Sequence, residues 1–467
     1  MLSIVDSSVK LCDGFSRREI LRAGGAGLLG LPALVGLPAL GNQLSAAGAQ
    51  SAAPAKSCIV LFLMGGPAQH STWDPKPEAP PEVRGEFGPI STSVPGIQIS
   101  ELMPRTATLM DRIAILRSVV TMDNAHSSSG YAMLTGQPHA PRNRENVNPG
   151  APNNWPSMAA VVQHLNRGPE FLPASVRLPH HIFNTDQSIW PGQDAGWLGH
   201  TAEPWLFKCR PADADFDVPQ FRLQADVDLG RLSNRKSLLE QLESKLRQAD
   251  RSGATSAYSD RRRQAFDLVG SPKARTACDL KRETDQTRDR YGRGQFGQSV
   301  LLARRLVGAG VKFVQVNWFR SPDEPMQNPC WDSHTDETNR LKNVLVPPFD
   351  RAYSALIEDL EQRGMLDDTL VVVMAEFGRS PKLDARAGRG HWGYVFSTAL
   401  AGAGIRGGTV YGSSDAHAAY PKSGRVEPQD ISATIFNRLG YPRETELHDP
   451  FDRPLPISRG QVIEAIV

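Results

Sequence analysis

A single α/β domain built on a central, largely parallel sheet flanked by helices is what the 467-residue sequence predicts. Three stretches carry that expectation. Residues 370–375 (LVVVMA) form an apolar run with β-branched residues at its centre, the pattern of a strand buried on both faces as in a parallel sheet. Residues 57–64 (SCIVLFLM) are similarly apolar and end in Gly65-Gly66-Pro67, a turn at which backbone can approach a ligand closely. Residues 295–307 read as a helix stopped by Gly308, and an alternating strand over 311–318 follows. That helix–strand order is the one expected of a crossover into a parallel sheet.

The other elements follow in chain order. Residues 75–95 are rich in Pro and Gly and read as ordered loop, with a short hairpin near 85–88. A helix is expected from Ser100 to about Met110, then a second strand over 113–119. A further helix starts near Ser128 or Ser129, where serine is an ordinary cap, and carries Tyr131, Met133 and Leu134. Residues 141–156 read as a polar loop over the site or a disordered tip, 155–165 as a helix, and 180–200 as a loop whose His, Asp and Trp residues could wall a cleft. Residues 232–248 and 254–268 are two arginine-rich helices of an insertion spanning about 225–290. A long helix is predicted within 345–364, a strand over 394–401, an edge hairpin over 404–412, and a helix over 430–439 capped by Asp430.

Composition narrows the function classes. An apolar content of 40% is that of a globular chain with a sizeable core. The formal charge of +2, with both signs interleaved, gives no footprint for nucleic acid or an anionic membrane. Neither a dinucleotide-binding nor a P-loop glycine spacing occurs in context, and there is no GxSxG elbow. At the N-terminus, Arg17-Arg18 precede a weakly apolar run to about Leu40, the pattern of a twin-arginine export signal, with a cleavage site near Ala47-Gly48-Ala49. Residues 1–49 are therefore expected to be a signal peptide read by the twin-arginine export machinery. Residues 50–467 are expected to be one domain in the periplasm or at the cell surface, touching the membrane only if the signal stays uncleaved. Of the cysteines beyond the signal, Cys58, Cys209, Cys278 and Cys330 form no CxxC pair, and either Cys209–Cys278 or Cys278–Cys330 is open as a disulfide.

Candidate chemistry collects just after the strands. His70 and Asp74 follow the first, and His126 follows the second. Asp332 and His334 lie two apart in WDSH, so an extended segment would project both to one side. Glu376 ends the valine-rich strand, and a Gly/Arg-rich loop delivers His391. A parallel sheet brings such strand ends to one edge, where open α/β folds bind ligands. Mixed imidazole and carboxylate donors suit Zn²⁺ or Mn²⁺, and a more oxygen-rich set would suit Ca²⁺ or Mg²⁺. Arg379 could grip a phosphate or sulfate oxygen through two N–H groups, or equally pair with a carboxylate of the protein. The helix start near Ser129 is where free N–H groups would favour an anion.

Taken together, the strand–GGP–HSTWDP start, GEFGPI, STSVPGIQISELMP, WDSH, AEFGRSP and GRGHW resemble the exported bacterial family called domain of unknown function 1501, over about residues 58–457. That family is similar in fold to the alkaline phosphatase and sulfatase superfamily, which implies an alkaline-phosphatase-like sandwich. The sulfatase signature is Cys or Ser, any residue, Pro-Ser-Arg, then Leu-x-Thr-Gly a few residues later. Aligned on Leu134-Thr135-Gly136, it places His126 at the nucleophile and Ser128 at the proline, matches Ser129, and leaves Gly130 in place of the arginine. The carboxylate that ends the superfamily's first strand is replaced by Gly65-Gly66. The resemblance implies His126 or Ser127 as attacking or acid/base group, with Arg379 and Ser129 on the anion. It implies metal ligands among His70, Asp74, Asp332, His334, Glu376 and His391. The implied function is a metal-dependent hydrolase of phosphate or sulfate esters, small or polysaccharide; the alternative is a non-catalytic binding protein that keeps the fold.

Overall fold

The computed structural model describes residues 54–166, 168–169, 171–184, 186–218, 227–249, 254–318 and 329–467. The export-signal expectation for residues 1–49 lies outside them. The core is an eight-stranded sheet. Its strands are β1 (Ser57–Phe62), β2 (Ile113–Val119), β3 (Ser175–Leu178), β4 (Trp205–Leu206), β5 (Phe313–Asn317), β6 (Thr369–Met374), β7 (Phe396–Ala401) and β8 (Thr409–Tyr411). They stand in the order β8-β2-β7-β6-β1-β5-β3-β4. Only β7 runs against its neighbours β2 and β6; the other pairings are parallel. The fold is thus α/β with a central, largely parallel sheet, as the apolar runs predict.

β1 sits at the centre, in register with β5 from Cys58↔Phe313 to Phe62↔Asn317 and with β6 from Ser57↔Thr369 to Phe62↔Met374. Both β1 and β6 are buried at every residue, so both sheet faces are covered, which is why neither strand alternates in polarity. The flanking helices described include α1 (His126–Thr135), α2 (Met158–Leu165), α3 (Leu229–Ala249), α4 (Ala254–Gly270), α5 (Gln295–Gly308), α6 (Val346–Gln362) and α7 (Pro428–Arg438). α6 carries Pro347-Pro348 in its first turn, directly after a π-helical turn over Leu341–Leu345. It buries Phe349, Leu356, Ile357 and Leu360 and packs on α5, which in turn lies against β1 and β5. Arg304 of α5 ties the pair together, reaching Asp359 Oδ2 at 2.7 Å and Glu283 Oε2 at 2.8 Å. α3 and α4 pack on each other, with Lys236 Nζ 2.6 Å from Asp267 Oδ1.

Several boundaries differ from expectation for identifiable reasons. Ser100 ends a short strand (Gln98–Ser100) instead of opening a helix, and the helix waits for Pro104, whose missing N–H costs nothing at a first helical position. α1 starts at His126, ahead of the serines, because Asp123 accepts both the Ala125 N–H and the Ser128 hydroxyl. α7 begins at Pro428, so Asp430 is its third residue and closes a capping box with Glu427. Residues 409–411 are not an edge hairpin: they pair with β2 as the outermost strand of the main sheet. The short strands β3 and β4 carry no run long enough to announce them. The four described cysteines are free and buried. No helix among the described residues is long and apolar enough to cross a membrane.

Candidate metal centre

Four chain passages deliver side chains to one edge of the sheet. β1 ends at the turn containing Gly65, β2 leads through Asp123 and Asn124 into α1, β6 runs out at Glu376, and residues 329–334 lie against the β1 turn. Gly65 has φ +110°, and a Cβ there would come within 2.3 Å of Asp332 N, so only glycine lets the two passages touch. A two-residue antiparallel ladder pairs His391 with Arg379 and Trp392 with Gly378, which brings the loop histidine back to the strand end.

At that edge Asp332 is the hub. His126 Nε2 lies 3.2 Å from its Oδ2, while His334 Nε2 lies at 2.9 Å and His391 Nε2 at 3.1 Å from its Oδ1. The same Oδ1 accepts from Arg379 Nη2 at 2.5 Å. Burial disfavours the Asp332 charge, yet Arg379 and then His126 outweigh it and hold the carboxyl well below its ordinary range. His126 bridges two carboxylates, because its Nδ1 lies 2.7 Å from Glu376 Oε1. Burial opposes its charge too, but Asp332 and Glu376 prevail and raise it to about 10.

His391 behaves in the opposite way. Its Nδ1 lies 2.7 Å from the Asn124 carbonyl oxygen, which can only accept, so Nδ1 carries the proton. Burial, then repulsion from His126, pushes His391 down to about 3, so the ring is neutral and Nε2 presents a lone pair. Nε2 lies 3.1 Å from Asp332 Oδ1 and can accept from His334 Nε2 at 2.9 Å. Phe377 stacks on the His391 ring at 4.5 Å and fixes its plane.

The group is a candidate cation site. Donor atoms of His126, Asp332 and His391 all lie within 4.8 Å of one another. Glu376 is fully buried; its Oε1 takes the Gly65 N–H at 2.8 Å and His126, while its Oε2 has no hydrogen-bond partner among the described residues. A buried acceptor without a donor is uncommon and calls for a ligand or ion nearby. Two imidazoles and a carboxylate are a donor set of the Zn²⁺ or Mn²⁺ type. The site opens into a cleft of about 170 Å³ lined by Met64, Glu145, Asn146, Phe183, Trp190 and the metal-type residues.

The structure thus gathers six of the ten residues named from sequence: His126, Asp332, His334, Glu376, Arg379 and His391. The other four have partners elsewhere. His70 Nε2 is 3.0 Å from the His417 carbonyl oxygen, and burial followed by Arg389 pushes the ring down to about 3. Asp74 pairs with Lys76 at 3.0 Å and accepts from Ser414 Oγ at 2.5 Å. The Ser127 hydroxyl donates to Arg144 O and accepts from Val147 N, and Ser129 Oγ donates to the Glu376 carbonyl at 2.5 Å. Both serines fasten chain segments instead of facing the cleft. Arg379, fully buried, donates to the carbonyls of Gly65, Gly66, Trp331 and Arg389 as well as to Asp332. Of its two expected roles, on an anion or paired with a carboxylate of the protein, the second is the one seen here, with Asp332, and the same guanidinium holds the β1 turn. Gly130, which stands for an arginine in the sulfatase signature, packs on Trp190, where a Cβ would meet the ring at 2.5 Å.

Sequence reading missed Asn124, Glu145 and Phe377. Asn124 acts through its backbone oxygen, which no side-chain pattern reveals. Glu145 lies in a loop expected over the site, but as one of several polar residues there.

None of the curated proteins matches the chain. Solved structures similar to it include the PsFucS1 sulfatase from Pseudoalteromonas sp., at 14% identity, 84% of this chain, 69% of that one and a TM-score of 0.39. The phosphonate monoester hydrolase of Agrobacterium radiobacter is another, at 12% identity, 88% and 76% coverage and a TM-score of 0.40. The lipoteichoic acid synthase LtaP from Listeria monocytogenes is a third, at 11% identity, 84% and 73% coverage and a TM-score of 0.35. All three scores lie below 0.5, and nothing about this chain's chemistry follows from them. The family whose description is "Protein of unknown function (DUF1501)" matches residues 55–467, and the chain belongs to that family.

Proposed function

We propose that the protein is an exported, metal-dependent hydrolase of phosphate or sulfate esters, either small molecules or polysaccharides. The observation that carries this reading is the convergence of His126, Asp332 and His391 on one point beside a cleft at the sheet edge. Those three would hold a divalent ion, with His334 beside them; Ca²⁺ suits the set less than Zn²⁺ or Mn²⁺, because imidazole nitrogens outnumber oxygens. When bound, the ion would polarise an anionic oxygen and acidify a water molecule.

The chain's own residues supply the rest. Glu376 takes the Nδ1 side of His126, so Nε2 of that ring is left for the ion. The Asn124 carbonyl does the same for His391. Arg379 keeps Asp332 ionised and in place. The described residues lining the cleft include no hydroxyl or thiol, and His126 has one ring nitrogen on Glu376 and the other toward the ion, which favours attack by water over attack by Ser127 or His126. Export to the periplasm or cell surface is proposed from Arg17-Arg18 and the run that follows.

That the described residues on the cleft wall include no hydroxyl or thiol also favours a second reading, a non-catalytic binding protein. Metal-loaded protein assayed on a panel of aryl phosphate and sulfate esters separates the two. Turnover that disappears in His391→Ala supports the hydrolase; metal binding with no turnover of any ester supports the binding protein.

A further inference from the structure

We propose that Glu145 is a built-in competitor for the anionic ester: its carboxylate occupies the N-terminal end of α1, and the segment 141–150 must shift for substrate to bind. The proposal rests on the reading of the cleft as an anionic-ester site, and it adds a regulatory contact that the reading does not require.

The first support is position. Glu145 Oε1 accepts the backbone N–H of His126 at 2.8 Å, the first residue of a ten-residue helix. The N-cap residue is Ala125, which has no side-chain oxygen to satisfy that N–H. A carboxylate from 19 residues downstream takes the place. Its Oε1 is also 3.8 Å from His391 Nδ1, on the face of that ring turned away from Asp332. Glu145 therefore stands outside the metal-type donor group yet on the wall of the same cleft. An anionic substrate oxygen entering the cleft and the Glu145 carboxylate would seek the same partial positive charge.

The second support is how the segment is held. Ser127 Oγ donates to Arg144 O and accepts from Val147 N, Ser128 Oγ accepts from Arg144 N, and Asn143 Oδ1 accepts from Asn124 N. These are polar side-chain ties to backbone, and residues 141–146 are all exposed. A segment fixed by such bonds, with no buried apolar side chain among them, opens at low cost compared with the core.

Inorganic phosphate binding to the metal-loaded full-length protein, followed by calorimetry, tests the proposal with Glu145→Gln, Glu145→Ala and Asn143→Ala. The two Glu145 variants are expected to bind phosphate about tenfold more tightly, the factor expected when the open state of the native protein is populated at roughly one part in ten. Asn143→Ala, which loosens the segment and keeps the charge, is expected to move the same way by a smaller factor. If native protein shows no phosphate binding, its appearance in Glu145→Ala supports the proposal and its continued absence overturns it. Unchanged or weaker binding in the Glu145 variants overturns it as well. Metal affinity measured separately distinguishes the failures: loss of metal binding in the native protein defeats the metal reading, whereas intact metal binding with unimproved phosphate affinity defeats only the role of Glu145.

Discussion

His126 shows most directly how the site is balanced. In the metal-free arrangement one proton-rich imidazole joins Asp332 to Glu376, and a divalent ion on Nε2 would take the place of a proton. Metal affinity is therefore expected to rise with pH, by up to about tenfold per pH unit for each proton released. Calorimetry in two buffers of different ionisation enthalpy measures that release, and a pH-independent affinity would count against the assignment. The folded-state value of about 10 stands above the ordinary 6.5. The metal-free protein thus holds a stabilising contribution from His126 below pH 6.5 that is lost as pH climbs through about 10. Its melting temperature should fall over that window, and bound metal should flatten the fall. Glu376→Gln keeps a hydrogen-bond acceptor but removes the charge that orients His126. The expected result is a metal affinity about 10- to 100-fold weaker, read by competition with a chelator. Affinity within twofold of native would mean that Glu376 is merely structural.

At the scale of elements, much of this site could be read from sequence because strand ends advertise themselves. The runs ending at Gly65 and Glu376 are strongly apolar and stop abruptly, so the residues after them were natural candidates. His391 and Asp332 were legible for the same reason, being polar residues delivered by loops to that edge. What could not be read was partnership. Arg379 and Ser129 look like anion ligands by type, yet burial turns both toward carbonyl oxygens. His70 follows the first strand as closely as a ligand would, but the 3₁₀ turn Gln69–Ser71 faces it to His417. The strands β3 and β4 are four and two residues long, too short for any periodicity. The turn at Gly65 gives an element-level prediction. Gly65→Ala adds strain at φ +110° and a contact against Asp332 N, and should cost roughly 2–5 kcal/mol while also weakening metal binding. Leu356→Ala, in the core of α6, should cost a similar ~2–5 kcal/mol with metal affinity unchanged. Denaturant unfolding with parallel metal titration compares the two. Equal metal affinities in both variants would show that the β1 turn does not shape the site.

The whole molecule explains why residues so far apart in sequence meet. Gly65, His126, Asp332, Glu376 and His391 come from five passages of the chain, and the central position of β1 with the single reversed strand β7 places all five on one edge. Such a site has no stable counterpart in the unfolded chain, so an ion held there binds the folded state alone and raises its stability by about 2.7 kcal/mol at a hundredfold excess over Kd. The most direct test is the metal content of purified native protein beside Asp332→Ala and His391→Ala, each dialysed against Zn²⁺ or Mn²⁺ and then against metal-free buffer. The account predicts about one divalent ion per native chain, retained with a raised melting temperature, and background levels in both variants. Background metal in the native protein, or equal retention by all three, would contradict it.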